Sequence, residues 1–302
     1  MKIIILSISF LSLMFSGFSQ NYLEYYYAIN NAKVLTADSN YSEAFKTYIE
    51  TFKKYNAFTY DYIDAYSCAV NIKKFHAAKK YIYKAVKSGY DPKYIYDTTD
   101  VFDGLQPQCK EIKYNKNKLQ RLHKKYFQSI DIDYSIELIK LLGTDQGLRM
   151  SKFEISEDSL IQKVYLNDSV FRNKYLNLYY KSMTILDSTD YHTLYSYIKN
   201  KGFNMRTLLG DAFVGGSVVL AHALHFCNSY NNCDSIINYL KGQLIKGEFE
   251  PIMFARIYDK YCLARYDYSY YGILFTGDDI ILYEPNNIDK RRKEIGLVTI
   301  EQ

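Results

Sequence analysis

The sequence predicts a mainly α-helical protein: paired, repeated helices packed on a larger C-terminal helical region with one small β-hairpin. Three observations carry this expectation. Apolar residues recur at helical spacing over most of the chain. Residues 21–90 repeat with an offset of 34. Short β-prone runs around a Gly-bearing turn stand out in one place, Tyr270 to Tyr283.

The first segment, residues 1–19, reads as an address rather than as fold. Lys2 precedes an apolar run from Ile3 to Phe15, and Ser16-Gly17-Phe18-Ser19 follows. That is the three-part layout of a secretory signal peptide, and the run is too short to span a membrane comfortably. Cleavage is expected to leave Gln20 or Asn21 as the first residue, with export to the periplasm or the extracellular space. No Cys closes the segment, so a lipid anchor is not expected, and no later apolar run has transmembrane length.

Loss of Lys2 lowers the net charge from +5 to +4, a near-neutral balance that calls for neither nucleic acid nor an anionic membrane. The 34 Tyr, against no Trp, admit two explanations. Tyr faces bind sugars and peptides. Abundant Asn, Lys and Ile with only four Pro, however, suit an AT-rich coding bias in which Tyr replaces other core residues. Five Cys are too few and too irregular for a disulfide scaffold, but export permits disulfides. Cys227 and Cys233 flank a polar loop and form the candidate pair.

In residues 20–110, Ile29 maps to Ile63, Tyr41 to Phe75, Ala44 to Ala78, Tyr48 to Ile82 and Phe52 to Val86. Each unit reads as two amphipathic helices, 22–37 with 41–55 and 58–73 with 75–88. This resembles tetratricopeptide repeats in period and in the small residue of the second helix. Two such units do not bury their own faces, so helices in 93–130, the C-terminal region, or both must cover the stack. Asp97-Thr98-Thr99-Asp100-Val101-Phe102-Asp103-Gly104 lacks the alternating acids of a calcium loop and reads as a solvated turn.

The C-terminal region, 115–302, predicts helices near 116–128, 133–150, 157–186, 188–200, 211–226, 234–246 and 251–265. Asp187 or Ser188, Asp234 and Pro251 serve as start signals. The strands are placed at 270–275 and 280–283, and a last helix near 287–295 ends at Gly296 with Leu297 packing back.

A series of motifs runs through this half: Asp145-Gln146-x-x-Arg149, Asp187-x-x-Asp190, Lys201-Gly202-Phe203, His222, Tyr258-Asp259-Lys260, Tyr271-Gly272, and Pro285-x-x-Ile288-Asp289-x-Arg291-Arg292-x-x-Ile295-Gly296-Leu297. It resembles the bacterial family catalogued as domain of unknown function 6624, over about half the chain. The chain departs from the family pattern at Phe203, Asn204, Lys260 and Ser269. The resemblance implies no activity, but it singles out His222 as the general-base candidate, with Asp145 or Asp259 to orient its imidazole.

His222 and His225 form H-x-x-H on an apolar helix. Without the Glu of H-E-x-x-H or a third ligand, a histidine bonded to a carboxylate is expected rather than zinc, so no metal or other cofactor is assigned. Arg149, Arg291, Arg292 and Tyr271 are the candidate ligand-binding residues, because an Arg fork suits a carboxylate or phosphate. Alternatively, the arginines of 289–292 tie the C-terminal helix to Asp145 or Asp259. Gly210 to Gly216 lacks the ending of a phosphate loop and reads as helix packing. Neither G-x-S-x-G nor C-x-x-C occurs.

Two functions are compatible with these residues. One is an envelope protein that binds a peptide or protein segment in the repeat groove, with exposed Tyr and Asn on the inner helix faces. The other is a hydrolase-like enzyme with a polar site joining His222 to Asp145, Asp259 and the arginines.

Overall fold

The computed structural model describes residues 21–96, 112–157, 167–224, 233–274 and 281–300. Residues 1–19, expected as a signal segment, residues 97–104 and 276–279, expected as turns, and Cys227 and His225 lie outside them.

The 34-residue repeat is visible in the backbone itself. Helices α1 (Leu23–Ala37) and α2 (Tyr41–Lys54) form the first pair, and α3 (Thr59–Asn71) and α4 (Phe75–Lys87) the second. The turn inside each pair places one residue in the left-handed region, Ser39 at φ 60 and Lys73 at φ 58. Its hydrogen bonds also repeat: Asn40 N–H donates to Leu35 and Lys74 N–H to Ala69, both at 2.8 Å. Ala44 and Ala78, both at 0 % exposure, let the helices of each pair approach closely.

Both ends of this short stack are covered. A one-turn helix α5 (Lys93–Tyr96) and then α6 (Lys116–Phe127) follow the second pair, and α6 packs on α4. At the other end the C-terminal region binds α1. Tyr22 N–H donates to Ile245 O at 2.9 Å, Tyr26 Oη to Phe249 O at 2.9 Å, and Asn30 Nδ2 to Gly296 O at 2.6 Å. Arg206, held to Gly247 O at 2.8 Å within the C-terminal region, reaches across to Asn56 O at 2.9 Å, with its guanidinium 4.3 Å from the Phe58 ring centre. One continuous apolar core therefore runs from Tyr22 to Leu297.

Much of that core is tyrosine, and the buried hydroxyls of Tyr25, Tyr26 and Tyr134 find acceptors in Asp61, two backbone carbonyls and Gly202 O. These tyrosines stand as ordinary core residues with a satisfied polar tip.

The C-terminal region is built around α9 (Gly210–Ala223), against which α7 (Ile132–Glu157), α8 (Ser169–Lys201) and α11 (Pro251–Tyr266) pack; α10 (Cys233–Lys246) lies on α11. An apolar helix with most of its residues buried is a central one. Its Gly215 and Gly216 make the contact possible: a Cβ at Gly215 would stand 2.8 Å from Leu142, and one at Gly216 2.8 Å from Phe203. Helix packing thus accounts for Gly215 and Gly216 of the Gly-rich stretch.

Two expectations are corrected. The helices predicted at 157–186 and 188–200 are one continuous helix, α8, from Ser169. Its cap is Asp168, which accepts from Val170 N–H at 3.0 Å and Phe171 N–H at 2.9 Å. Asp187 and Ser188 lie inside it, because no breaker stands nearby. The small β element is present, but β1 (Tyr268–Ser269) and β2 (Ile281–Leu282) pair in parallel, with Tyr268 opposite Ile281. After Pro285–Asn287, a 3-10 turn, α12 (Ile288–Glu294) ends as predicted: Gly296 has φ +81 and Leu297 N–H donates to Arg292 O at 2.9 Å.

Candidate functional site

Asp145 and Arg149 stand one turn apart on α7, and Asp187 and Asp190 three residues apart on α8, so each pair shares a helix face. Helix α9 brings His222 to the same place. Asp145 is fully buried and accepts from three side chains: Gln146 Nε2 at 2.7 Å, Arg149 Nε at 2.9 Å and His222 Nδ1 at 2.9 Å. Arg149 also donates to Asp187, bridging the two carboxylates and the two helices. His222 and Arg149 keep 24 % and 21 % of their side-chain surface, so the cluster is buried in its acids and open at its imidazole and guanidinium.

The three acids are not equivalent. Burial opposes the charge of Asp145, but the hydrogen bonds and charges of His222 and Arg149 outweigh it and hold the carboxyl below its ordinary range. Burial raises Asp187 above that range against the pull of Arg149. Asp190 is pushed up to about 7 by burial and then by the negative charges of Asp145 and Asp187. It is 2 % exposed, and its Oδ2 has no hydrogen-bond partner. Buried polar atoms are almost always paired, so this one marks a place where structure alone does not explain the residue.

The remaining predicted site residues lie in a different constellation. Asp259 on α11 is fully buried and accepts from Ser269 Oγ at 2.7 Å and from the N–H groups of Tyr270, Tyr271 and Ile273 at 2.6–2.8 Å. Arg291 donates to Tyr270 O at 3.0 Å and to the carbonyl of Tyr283. Arg292 donates to Val298 O at 2.7 Å and Tyr271 O at 2.9 Å. The Tyr271 side chain is 5 % exposed, and its ring packs near Phe254, Tyr258 and Tyr270. These four residues clasp the turn after α11 to α12. No hydrogen bond or ion pair among the described residues joins them to His222. The expected convergence of six polar residues is therefore corrected: Asp145, Arg149 and His222 meet, whereas Asp259, Arg291 and Arg292 serve backbone groups elsewhere.

Asp190 and Lys260 were part of sequence motifs without a role of their own. The signal for Asp190 was its spacing from Asp187. Lys260 is half-buried, and burial followed by the charge of Arg149 lowers its pKa. Among the described residues, no group of three or more His, Cys, Asp or Glu side chains is set to hold a metal ion. Cys233 is disulfide-bonded, Cys68 and Cys262 are free and buried, and Cys227 lies outside the described residues.

A separate open groove of about 340 Å3 runs between α1 and the C-terminal segment, lined by Tyr27, Asn30, Asn31 and Val34 on one side and Lys293 and Leu297 to Thr299 on the other. No helix among the described residues is long and apolar enough to cross a membrane. No protein-family model, curated protein or solved structure matches the chain.

Proposed function

We propose that this is an exported binding protein of the cell envelope, related to domain of unknown function family 6624, that holds a peptide or protein segment in the groove on its first repeat helix. The observation that carries the reading is the groove's lining. The exposed Asn31 amide offers a donor and an acceptor, as a peptide backbone does, and Val34, Leu297 and Val298 offer apolar seats beside it. Tyr27, 42 % exposed, and Asn31, also exposed, stand on the α1 wall of this groove. The Cys233 disulfide fits an oxidising compartment. Peptides selected from a random library on residues 20–302 should bind at least tenfold more weakly to a folded Asn31→Arg or Val34→Trp variant. Unchanged affinity in both would rule out the groove. Mass spectrometry of the protein expressed with its own N-terminus should find residues 1–19 or 1–20 removed; intact Met1 on cytoplasmic protein would rule out export.

A second reading is a hydrolase-like acid–base site at His222. It is favoured by Asp145 and Asp190 being pushed in opposite directions, the pattern that separates a lasting carboxylate from a proton donor at neutral pH.

A further inference from the structure

The cluster on α7, α8 and α9 leaves polar groups unused, and they share a preference. Arg149 donates through Nε and one terminal nitrogen to Asp145 and Asp187; its Nη1 donates to nothing among the described residues. His222 bonds through Nδ1, and its Nε2 has no partner among the described residues. Lys260 on α11 is a half-buried ammonium that forms no ion pair among them. Asp190 Oδ2 is buried and unpaired. We propose that Lys260, Arg149, His222 and Asp190 together bind a small oxyanion, a carboxylate or a phosphate.

Arg149 is bonded to Asp145, which holds His222, and its charge acts on both Asp190 and Lys260. Two cations that oppose each other in a partly buried place are both relieved by an anion between them. The free Nη1 of Arg149 supplies a donor with geometry suited to an oxyanion, and Lys260 adds a point charge. Asp190 takes part as its neutral acid, donating its O–H to the ligand, since burial beside Asp145 and Asp187 disfavours a third negative charge. Asp145 and Asp187 remain matched by Arg149 and His222. Binding therefore weakens as Asp190 loses its proton. The site is independent of the α1 groove, so it stands or falls apart from the peptide-binding reading.

The test is isothermal titration of residues 20–302, disulfide intact, with sodium acetate and separately with inorganic phosphate at pH 6 and pH 8. Saturable binding of either supports the site, and the probe that binds more tightly identifies the source of the oxyanion. The Lys260→Met variant, which keeps the aliphatic stem and breaks no ion pair, should remain folded and bind at least tenfold more weakly. With acetate, whose charge is the same at both pH values, Asp190→Asn keeps a donor without a charge and its affinity should change less between pH 6 and pH 8 than that of the wild type, which weakens up to about tenfold. Absence of saturation by both probes at tens of millimolar, or unchanged affinity in Lys260→Met, overturns the proposal.

Discussion

Asp145 and Asp259 are both fully buried carboxylates, and they are held in opposite ways. Asp259 is closed: three backbone N–H groups and one hydroxyl surround it, all neutral, short and fixed by the turn that follows α11. Asp145 is held by Gln146, Arg149 and His222, of which the last two keep polar atoms and exposed surface beyond the contact. Burial of an acid is thus no marker of function. What distinguishes the two regions is what their partners have left over.

The largest effect should come from the closed region. Asp259→Ala strands three N–H groups at once, one buried and two partly buried, and is expected to lower stability by roughly 3–5 kcal/mol in urea denaturation at pH 7. A loss under about 1 kcal/mol would show that water replaces the carboxylate and that the region is not closed. Next, Arg292→Met leaves the carbonyls of Tyr271 and Val298 without their donor and should cost about 2 kcal/mol. The smallest effect belongs to the open region. His222→Ala removes one hydrogen bond and a partly exposed ring, so about 1 kcal/mol or less is expected from the same experiment. A larger cost for His222→Ala than for Asp259→Ala would invert the comparison.

The sequence shows some of this plainly. The repeat was legible because its periodicity extends to the turns, where Ser39 and Lys73 take the same left-handed conformation. The end of α12 was legible because a left-handed cap favours Gly, here Gly296. The continuity of α8 was not. Asp187 resembles a helix start locally, and the partner that explains it, Arg149, lies 38 residues away. Parallel pairing of β1 and β2 was hidden for a similar reason, since the paired residues 268–269 precede the β-prone run. The order of motifs put Asp145, His222, Asp259, Arg291 and Arg292 into one expected site. Order carries no distance, and the two groups separate once Asp259 is seen to bind its own following turn. Asp190 is visible in the sequence only through its spacing from Asp187, and the unpaired oxygen that sets it apart is seen in the structure.

The central claim, that the Asp145 region is open and charged rather than a finished clasp, is tested most directly by Asp190. A carboxyl raised to about 7 in the folded state holds its proton where the unfolded chain has lost it. Its contribution to stability therefore falls as pH rises from about 4 to 7, at up to about 1.4 kcal/mol per pH unit, and is constant above that. Asp145, held low, acts with the opposite sign at more acidic pH and is present in both proteins under comparison. Urea denaturation of wild type and Asp190→Asn from pH 5 to pH 8 isolates the effect. The account predicts that Asp190→Asn gains stability relative to wild type across this range and levels off above pH 7; parallel curves at all pH values would contradict it.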